Sequence, residues 1–260
     1  MKGTVSRLGI SLVVYAVWVA VTAVGGNIMT GGKEVPLEDL VKSGVGWNFV
    51  AAIVVLLVAI AVFKWNDLRF KAPHSLLRTM WFPSIYLIGF AVAVTMLGLP
   101  PVGTIAIVLF NTLLVGFSEE TMFRGILFRA FEERMAVWPA IILTSALFGA
   151  VHLLNVFTTG ELFMAAVQSL GAALSGLVFI AIMLRTGSIW PAIVYHGLWD
   201  CGLFMFGVSP GLESSAGAAP VDIPVWAAFV PVVLNLPNVI FALIMLRNIG
   251  KRGDKHVAGQ

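Results

Sequence analysis

Six residues of this 260-residue chain are of types that do chemistry and recur at helical spacing: Glu119, Glu120, Arg124, His152, His196 and Asp200. Glu120 and Arg124 are four apart with the acid first, the order in which a carboxylate and a guanidinium pair on one helix face. Glu119 then points about 100° away at 3.6 residues per turn. One carboxylate is thus neutralised while its neighbour is free to face a cavity. The same four-residue step puts Phe148 under His152 and His196 beside Asp200. A free carboxylate with two histidines suits general-base activation of water and stabilisation of an oxyanion.

The elements that position these residues are membrane helices. Hydrophobic residues make up 59% of the chain, and its 16 basic and 13 acidic residues make 29 charges, or 11%. A soluble domain carries about 25%. With a mean hydropathy of +0.97 there is too little polar surface to cover a water-soluble globule. This excludes a cytosolic enzyme, a disordered chain and a nucleic-acid binder, despite a pI near 9.2. A single cysteine, Cys201, excludes a disulfide framework and a CxxC metal site.

Spanning a bilayer takes about 20 apolar residues in a helix. Such runs fall at Leu8–Met29, Val45–Phe63, Trp81–Leu99, Thr104 to about Phe131, Trp138–Leu154, Leu162–Leu184, Ser188–Phe206 and about Ile223–Met245. The first run is longer than a signal peptide's apolar core and reads as a retained helix. Thr30–Gly44 reads as a polar connection, Gly207–Pro220 as a flexible loop, and Pro231 and Pro237 as kinks in the last span. The expected fold is therefore an all-α polytopic membrane protein of about eight helices, one membrane domain over residues 1–260, with residues 104–206 as its core.

Basic residues orient it. With the N-terminus inside, the inner side holds Lys2, Arg7, Lys64, Arg69, Lys71, Arg78, Arg124, Arg129, Arg134, Arg185, Arg247, Lys251, Arg252 and Lys255, 14 in all, against Lys33 and Lys42 outside. That asymmetry is the positive-inside signature and places both termini in the cytoplasm. Trp47, Trp65, Trp81, Trp138, Trp190 and Trp226 fall near span ends, as interfacial anchors do. The partners implied are the lipid bilayer and no nucleic acid. On this frame Glu119 lies about 18 Å above Phe131, His152 about 21 Å above Trp138 and His196 about 12 Å above Ser188, each the inner end of its helix, at 1.5 Å per residue. Three helices then bring polar groups to overlapping depths, and each such group costs about 2.5 kcal/mol to insert unless paired.

Other residues have structural readings. Asn111 and Gln168 are expected to bridge helices, and Gly171 with Ser175 has the spacing of close helix packing. Glu132, Glu133 and Arg134 read as a solvated loop, and His74 and His256 sit in basic inner segments. Competing chemistries fail on particular residues. There is no HExxH for a zinc protease, one intramembrane Asp where an aspartyl protease needs two, and Gly116-Phe-Ser-Glu where a rhomboid-like serine protease needs GxSG.

Glu119-Glu120-Thr-Met-Phe-Arg124 resembles the EExxxR motif of the CPBP family, which includes type II CAAX prenyl endopeptidases and Abi proteins. Phe148-Gly-Ala-Val-His152 is similar to its FxxxH motif, and His196-Gly-Leu-Trp-Asp200 to its third, HxxxN/B. The resemblance spans about Gly116–Phe206. It implies an intramembrane endopeptidase acting on a membrane-embedded or lipidated protein. Glu119 would activate water with support from His152, Glu120 and Arg124 would shape the site with Phe148, and His196 with residue 200 would stabilise the oxyanion. The prenyl endopeptidases have Asn where this chain has Asp200, and an ionised Asp cannot donate to an oxyanion. Asp200 then is protonated, orients His196, or joins a metal site. Glu119, His152, His196 and Asp200 are by type a possible zinc set; the preferred expectation is a metal-free, glutamate-dependent enzyme with no cofactor. The competing class is a non-enzymatic immunity or scaffold protein, or a proton or ion carrier, using the same buried cluster.

Overall fold

In the computed structural model, residues 6–212 and 224–249 are described, and every regular element among them is a helix. Long apolar runs leave the backbone one way to satisfy its own N–H and C=O groups in lipid, and that way is helical. In order these are α1 (Arg7–Thr30), α2 (Leu37–Ser43), α3 (Trp47–Phe63), α4 (Leu76–Met80), α5 (Pro83–Leu97) and α6 (Val102–Glu120). A π-helical stretch, Thr121–Leu127, continues α6 into α7 (Phe128–Glu132). Then come α8 (Val137–His152), a 3-10 turn Leu153–Asn155, α9 (Val156–Thr159), α10 (Leu162–Thr186), α11 (Trp190–Gly207), a 3-10 turn Val225–Phe229 and α12 (Val230–Leu246).

The eight apolar runs of the sequence are helical where described, but not all have the length and composition of a span. Among the described residues five do: α1, Val102–Glu132, Val137–Thr159, α10 and Val225–Leu246. A sixth forms if α2 and α3, bent by 79°, count together. The 15 residues of α5 reach only about 22 Å at 1.5 Å per residue, short of a hydrocarbon core of roughly 30 Å. The connection expected at Thr30–Gly44 contains α2. Most of the expected loop at 207–220, and His256, lie outside the described residues.

Hydrogen bonds gather the connections at two ends. At one, the Arg7 guanidinium donates to both Asp67 oxygens at 2.9 Å and to Glu133 Oε1 at 2.7 Å. Arg129 pairs with Asp67 at 2.9 Å and also with Glu132. The hydrogen bond from Arg7 holds the Asp67 carboxyl, in the connection after α3, at about 2, below its usual 3.8. Glu132 and Glu133 are therefore tied into an ion-pair network, where the sequence suggested a solvated loop. Ser188 Oγ donates to Lys71 O at 2.5 Å, and His74 N–H to Thr186 O at 2.9 Å. Trp47, Trp81, Trp190 and Trp226 are exposed as anchors require, whereas Trp65 is buried under Arg7, 5.5 Å from ring centroid to guanidinium carbon.

At the opposite end, Val35 N–H donates to Thr158 O at 2.8 Å. Asn111 holds the bend between α2 and α3: its Nδ2 donates to Val41 O and Gly44 O at 2.7 Å, and its Oδ1 accepts from Gly46 N–H at 2.9 Å. Gln168 bridges as expected, its Oε1 accepting from Asn155 Nδ2 at 2.8 Å.

The closest helix pair is α8 with α10, and small residues make it. A Cβ added at Gly149 would lie 2.6 Å from Ala173 Cβ and 2.7 Å from Ser169 O. Gly176 meets Ser145 in the same seam. Gly171 and Ser175 are not in that seam. They face α12, where a Cβ at Gly171 would meet Val232 at an ordinary 3.6 Å and Ser175 Oγ accepts from Asn235 Nδ2 at 3.0 Å. Without a hydrophobic drive between helices in lipid, such backbone approach is what holds them. Gly149→Val must separate α8 from α10 and is expected to lower stability by about 1–3 kcal/mol, the usual cost of overpacking. Thermal unfolding in detergent checks this, with Gly89→Ala, where an added Cβ meets nothing within 4 Å, expected to leave the midpoint unchanged.

Candidate active site

Two backbone crossings place the chemistry. Gly116 of α6 and Gly197 of α11 lie against each other: a Cβ at Gly116 would stand 2.8 Å from Ile193 O and 2.9 Å from Gly197 N. One turn beyond the crossing, Glu119 and Glu120 meet His196 and Asp200. The Gly149 seam does the same for α8, bringing His152 to the edge of the group three residues later. Tyr195 fixes the rotation of α11, its hydroxyl donating to Pro83 O at 3.2 Å and accepting from Asn238 Nδ2 of α12 at 3.0 Å.

Glu120 is the hub. Its Oε1 accepts from Arg124 Nη1 at 2.9 Å and from His196 Nδ1 at 2.9 Å, and all three side chains are essentially excluded from solvent. The other guanidinium arm, Nη2, donates to Gly176 O on α10 at 3.2 Å. The guanidinium carbon sits 4.2 Å from the Phe148 ring centroid and 5.2 Å from that of Phe179. Stacking on desolvated aromatic faces adds up to about 2 kcal/mol per contact. Phe179 also stacks on His196, centroids 4.5 Å apart and planes 19° from parallel, while Phe148 meets both His152 and His196 edge-on. Phe148 thus bears on three of the polar groups.

Glu119 differs from its neighbour in what it faces. Both carboxylates are buried and each has an Oε2 without a hydrogen-bond partner, but only Glu119 lines a cavity, of about 190 Å³, that His152 and Asp200 also line. Its Oε2 lies 3.7 Å from His196 Nε2, and Asp200 Oδ2 lies 3.4 Å from the same nitrogen. His152 gives Nδ1–H to Phe148 O at 2.7 Å, because a carbonyl oxygen only accepts, and this leaves Nε2 as its open nitrogen.

The structure therefore gathers Glu119, Glu120, Arg124, Phe148, His152, His196 and Asp200 in one place. A catalytic zinc takes three protein ligands at about 2 Å, and among the described residues no group of three or more His, Cys, Asp or Glu is placed to hold a metal ion.

Three features carry no motif in the sequence. Phe179, which stacks on His196, is one apolar residue among many in α10. Trp18 of α1 donates from Nε1 to Ser118 Oγ at 2.8 Å, anchoring the residue before Glu119. The π-helical stretch beginning at Thr121 makes i→i+5 bonds, a form that marks functional sites in long helices.

Removing one partner of a buried ion pair strands the other charge, at about 3–5 kcal/mol. Arg124→Met is expected to destabilise by that amount, measured as loss of folded protein in a detergent unfolding series. Adding Glu120→Gln to it is expected to recover part of the loss, since no unpaired carboxylate then remains.

All these side chains except Trp18 and Asn238 lie within residues 101–202, the stretch that matches the family described as type II CAAX prenyl endopeptidase Rce1-like. No curated protein and no solved structure matches the chain. The match, together with the several helices long and apolar enough to span a bilayer, makes this an integral membrane protein. Over residues 101–202 the chain is similar to the family described as type II CAAX prenyl endopeptidase Rce1-like, which supports the resemblance to the CPBP family.

Proposed function

We propose that the protein is an intramembrane endopeptidase that hydrolyses a peptide bond of a membrane-embedded or lipidated protein with water activated by Glu119. The observation that carries this reading is the unpartnered, buried Glu119 carboxylate at the floor of the cavity, 3.7 Å from His196 Nε2. In the proposed reaction Glu119 takes a proton from water, and the water oxygen adds to the scissile carbonyl. The open Nε2 of His152 accepts a hydrogen bond from the same water and aims it. His196 Nε2–H faces the developing oxyanion, while its Nδ1–H is held by Glu120 and so cannot turn away. Collapse of the adduct breaks the C–N bond as Glu119 returns the proton to the leaving nitrogen. Arg124 takes no part in the transfers. It balances Glu120, so that the carboxylate beside it can hold His196.

For Asp200 the geometry favours the orienting role among the three open at the sequence level. Its Oδ2 lies 3.4 Å from His196 Nε2, where a carboxylate accepts from Nε2–H and steadies the ring until the oxyanion forms and takes that hydrogen. The eight apolar helices, with connections alternating between two ends, are read here as eight crossings with both termini cytoplasmic. A carrier reading is less favoured, because Phe123, Ile126, Leu127 and Phe128, toward the basic end from the site, are fully buried apolar residues.

Positioned acid–base catalysis is worth about 10²–10⁴ in rate. Glu119→Gln is expected to lose at least that much while folding normally. The check is terminus-labelling proteomics of membranes holding wild-type or variant protein: new termini should form only with wild type. Cleavage should persist in a chelator. Loss on chelation restored by zinc would reject the metal-free reading, and cleavage at wild-type rate by Glu119→Gln would reject the mechanism.

A further inference from the structure

The bundle is hollow in one half and sealed in the other, and the two halves differ in charge. The cavity over Glu119, His152 and Asp200 is walled by the outer turns of α1, α3 and α10 and by the 3-10 turn after α8, where Asn27, Asn48, Gln168 and Asn155 lie. Its exposed members, Ala23, Asn27 and Phe157, sit at the end that carries the bend between α2 and α3 and the Val35–Thr158 hydrogen bond. No Lys or Arg lines it. Toward the other end the space below Glu119 is filled. Phe123, Ile126, Leu127, Phe128, Ile182 and Ile189 are all 0% exposed. That filled end also holds the Arg7–Asp67–Arg129 network.

Among the basic residues that the structure describes, Arg124 belongs to the site, and only Lys33 and Lys42 fall at the hollow end. Basic loops stay in the cytoplasm. The mouth then faces the other side. A CAAX tail is prenylated where it is made, in the cytoplasm, and would meet the sealed end.

We infer that the cavity is loaded from the face of the membrane opposite the basic termini. Its substrate is then a polypeptide segment already carried to the non-cytoplasmic side, the exposed end of a spanning or anchored exported chain. The substrate class rests on the peptidase reading, whereas the direction of the mouth does not. The polar wall suits such a segment. Asn155 gives one donor to Gln168 Oε1, which leaves Asn155 Oδ1 and Gln168 Nε2 on the cavity wall. Those two groups form an acceptor and donor pair for the C=O and N–H that an extended chain presents, groups that are costly to leave unpaired in a membrane.

The test uses the full chain with its one cysteine removed, Cys201→Ala, and a single new cysteine added. Asn27→Cys and Thr158→Cys report the mouth, and Arg134→Cys, exposed at the basic end, reports the opposite face. The probe is a membrane-impermeant charged maleimide on right-side-out and inside-out vesicles. The account expects both mouth cysteines to label in right-side-out vesicles with complete loss of labelling in inside-out ones, and Arg134→Cys to do the reverse. Labelling of the mouth from the cytoplasmic face, or from neither face, overturns it. For the substrate class, cut sites that vanish with Glu119→Gln should lie on the non-cytoplasmic side. Cut sites confined to cytoplasmic tails overturn that class and leave the peptidase reading standing. If no cut site depends on Glu119, the peptidase reading and the substrate class fall together, and the labelling still decides the direction of the mouth.

Discussion

A guanidinium buried in a membrane bundle must be paired, and the pairing of Arg124 with Glu120 organises everything around it. One carboxylate oxygen serves both Arg124 and His196, so a single ion pair sets the depth of α6 and the orientation of a ring on α11. The second guanidinium arm reaches the Gly176 carbonyl, which brings α10 into the same arrangement. Phe148 on α8 and Phe179 on α10 close over the charge. Four helices are thus fixed relative to one another by one cation and what it needs. The desolvation cost of burying it makes this a poor source of stability but a strict one of geometry.

What the pair leaves over is as important as what it holds. Glu119 is next in sequence to Glu120 but turned about 100° from it, away from the cation. Its Oε2 finds no partner. A buried carboxylate left unsatisfied is costly, and here it faces the cavity. The close crossings at Gly116–Gly197 and Gly149–Ala173 make this possible, because they let the backbones approach until side chains from α6, α8 and α11 touch.

Much of this was legible in the sequence because charge is so scarce in it. Glu119, Glu120, Arg124, His152, His196 and Asp200 stand out against apolar spans, and their four-residue spacings predict the pairs that form on α6 and α11. The links between helices were not legible. That Glu120 rather than Glu119 takes His196 Nδ1 is a contact between α6 and α11 that spacing along either helix does not show. Phe179 and Trp18 are aromatic residues in apolar runs, indistinguishable by composition from those facing lipid. Glu133 looked solvated because its partner, Arg7, is distant in the chain, and Glu132 because the network that its neighbour Arg129 joins runs through the equally distant Asp67. The small-residue spacing of Gly171 and Ser175 was a correct kind of signal on the wrong face of α10, since Ala173 and Gly176 carry the seam. Periodicity identifies a face but not the helix it meets.

The central claim is that Glu120 acts by holding His196 for a reaction driven at Glu119. A double-mutant cycle on the cleavage rate of one substrate peptide tests it most directly, with Glu120→Gln, His196→Gln and the pair. If Glu120 works through His196, each single change lowers kcat/KM and the double variant falls no further than His196→Gln alone. If the two effects multiply, as they do for residues that act independently, the account of this site is wrong.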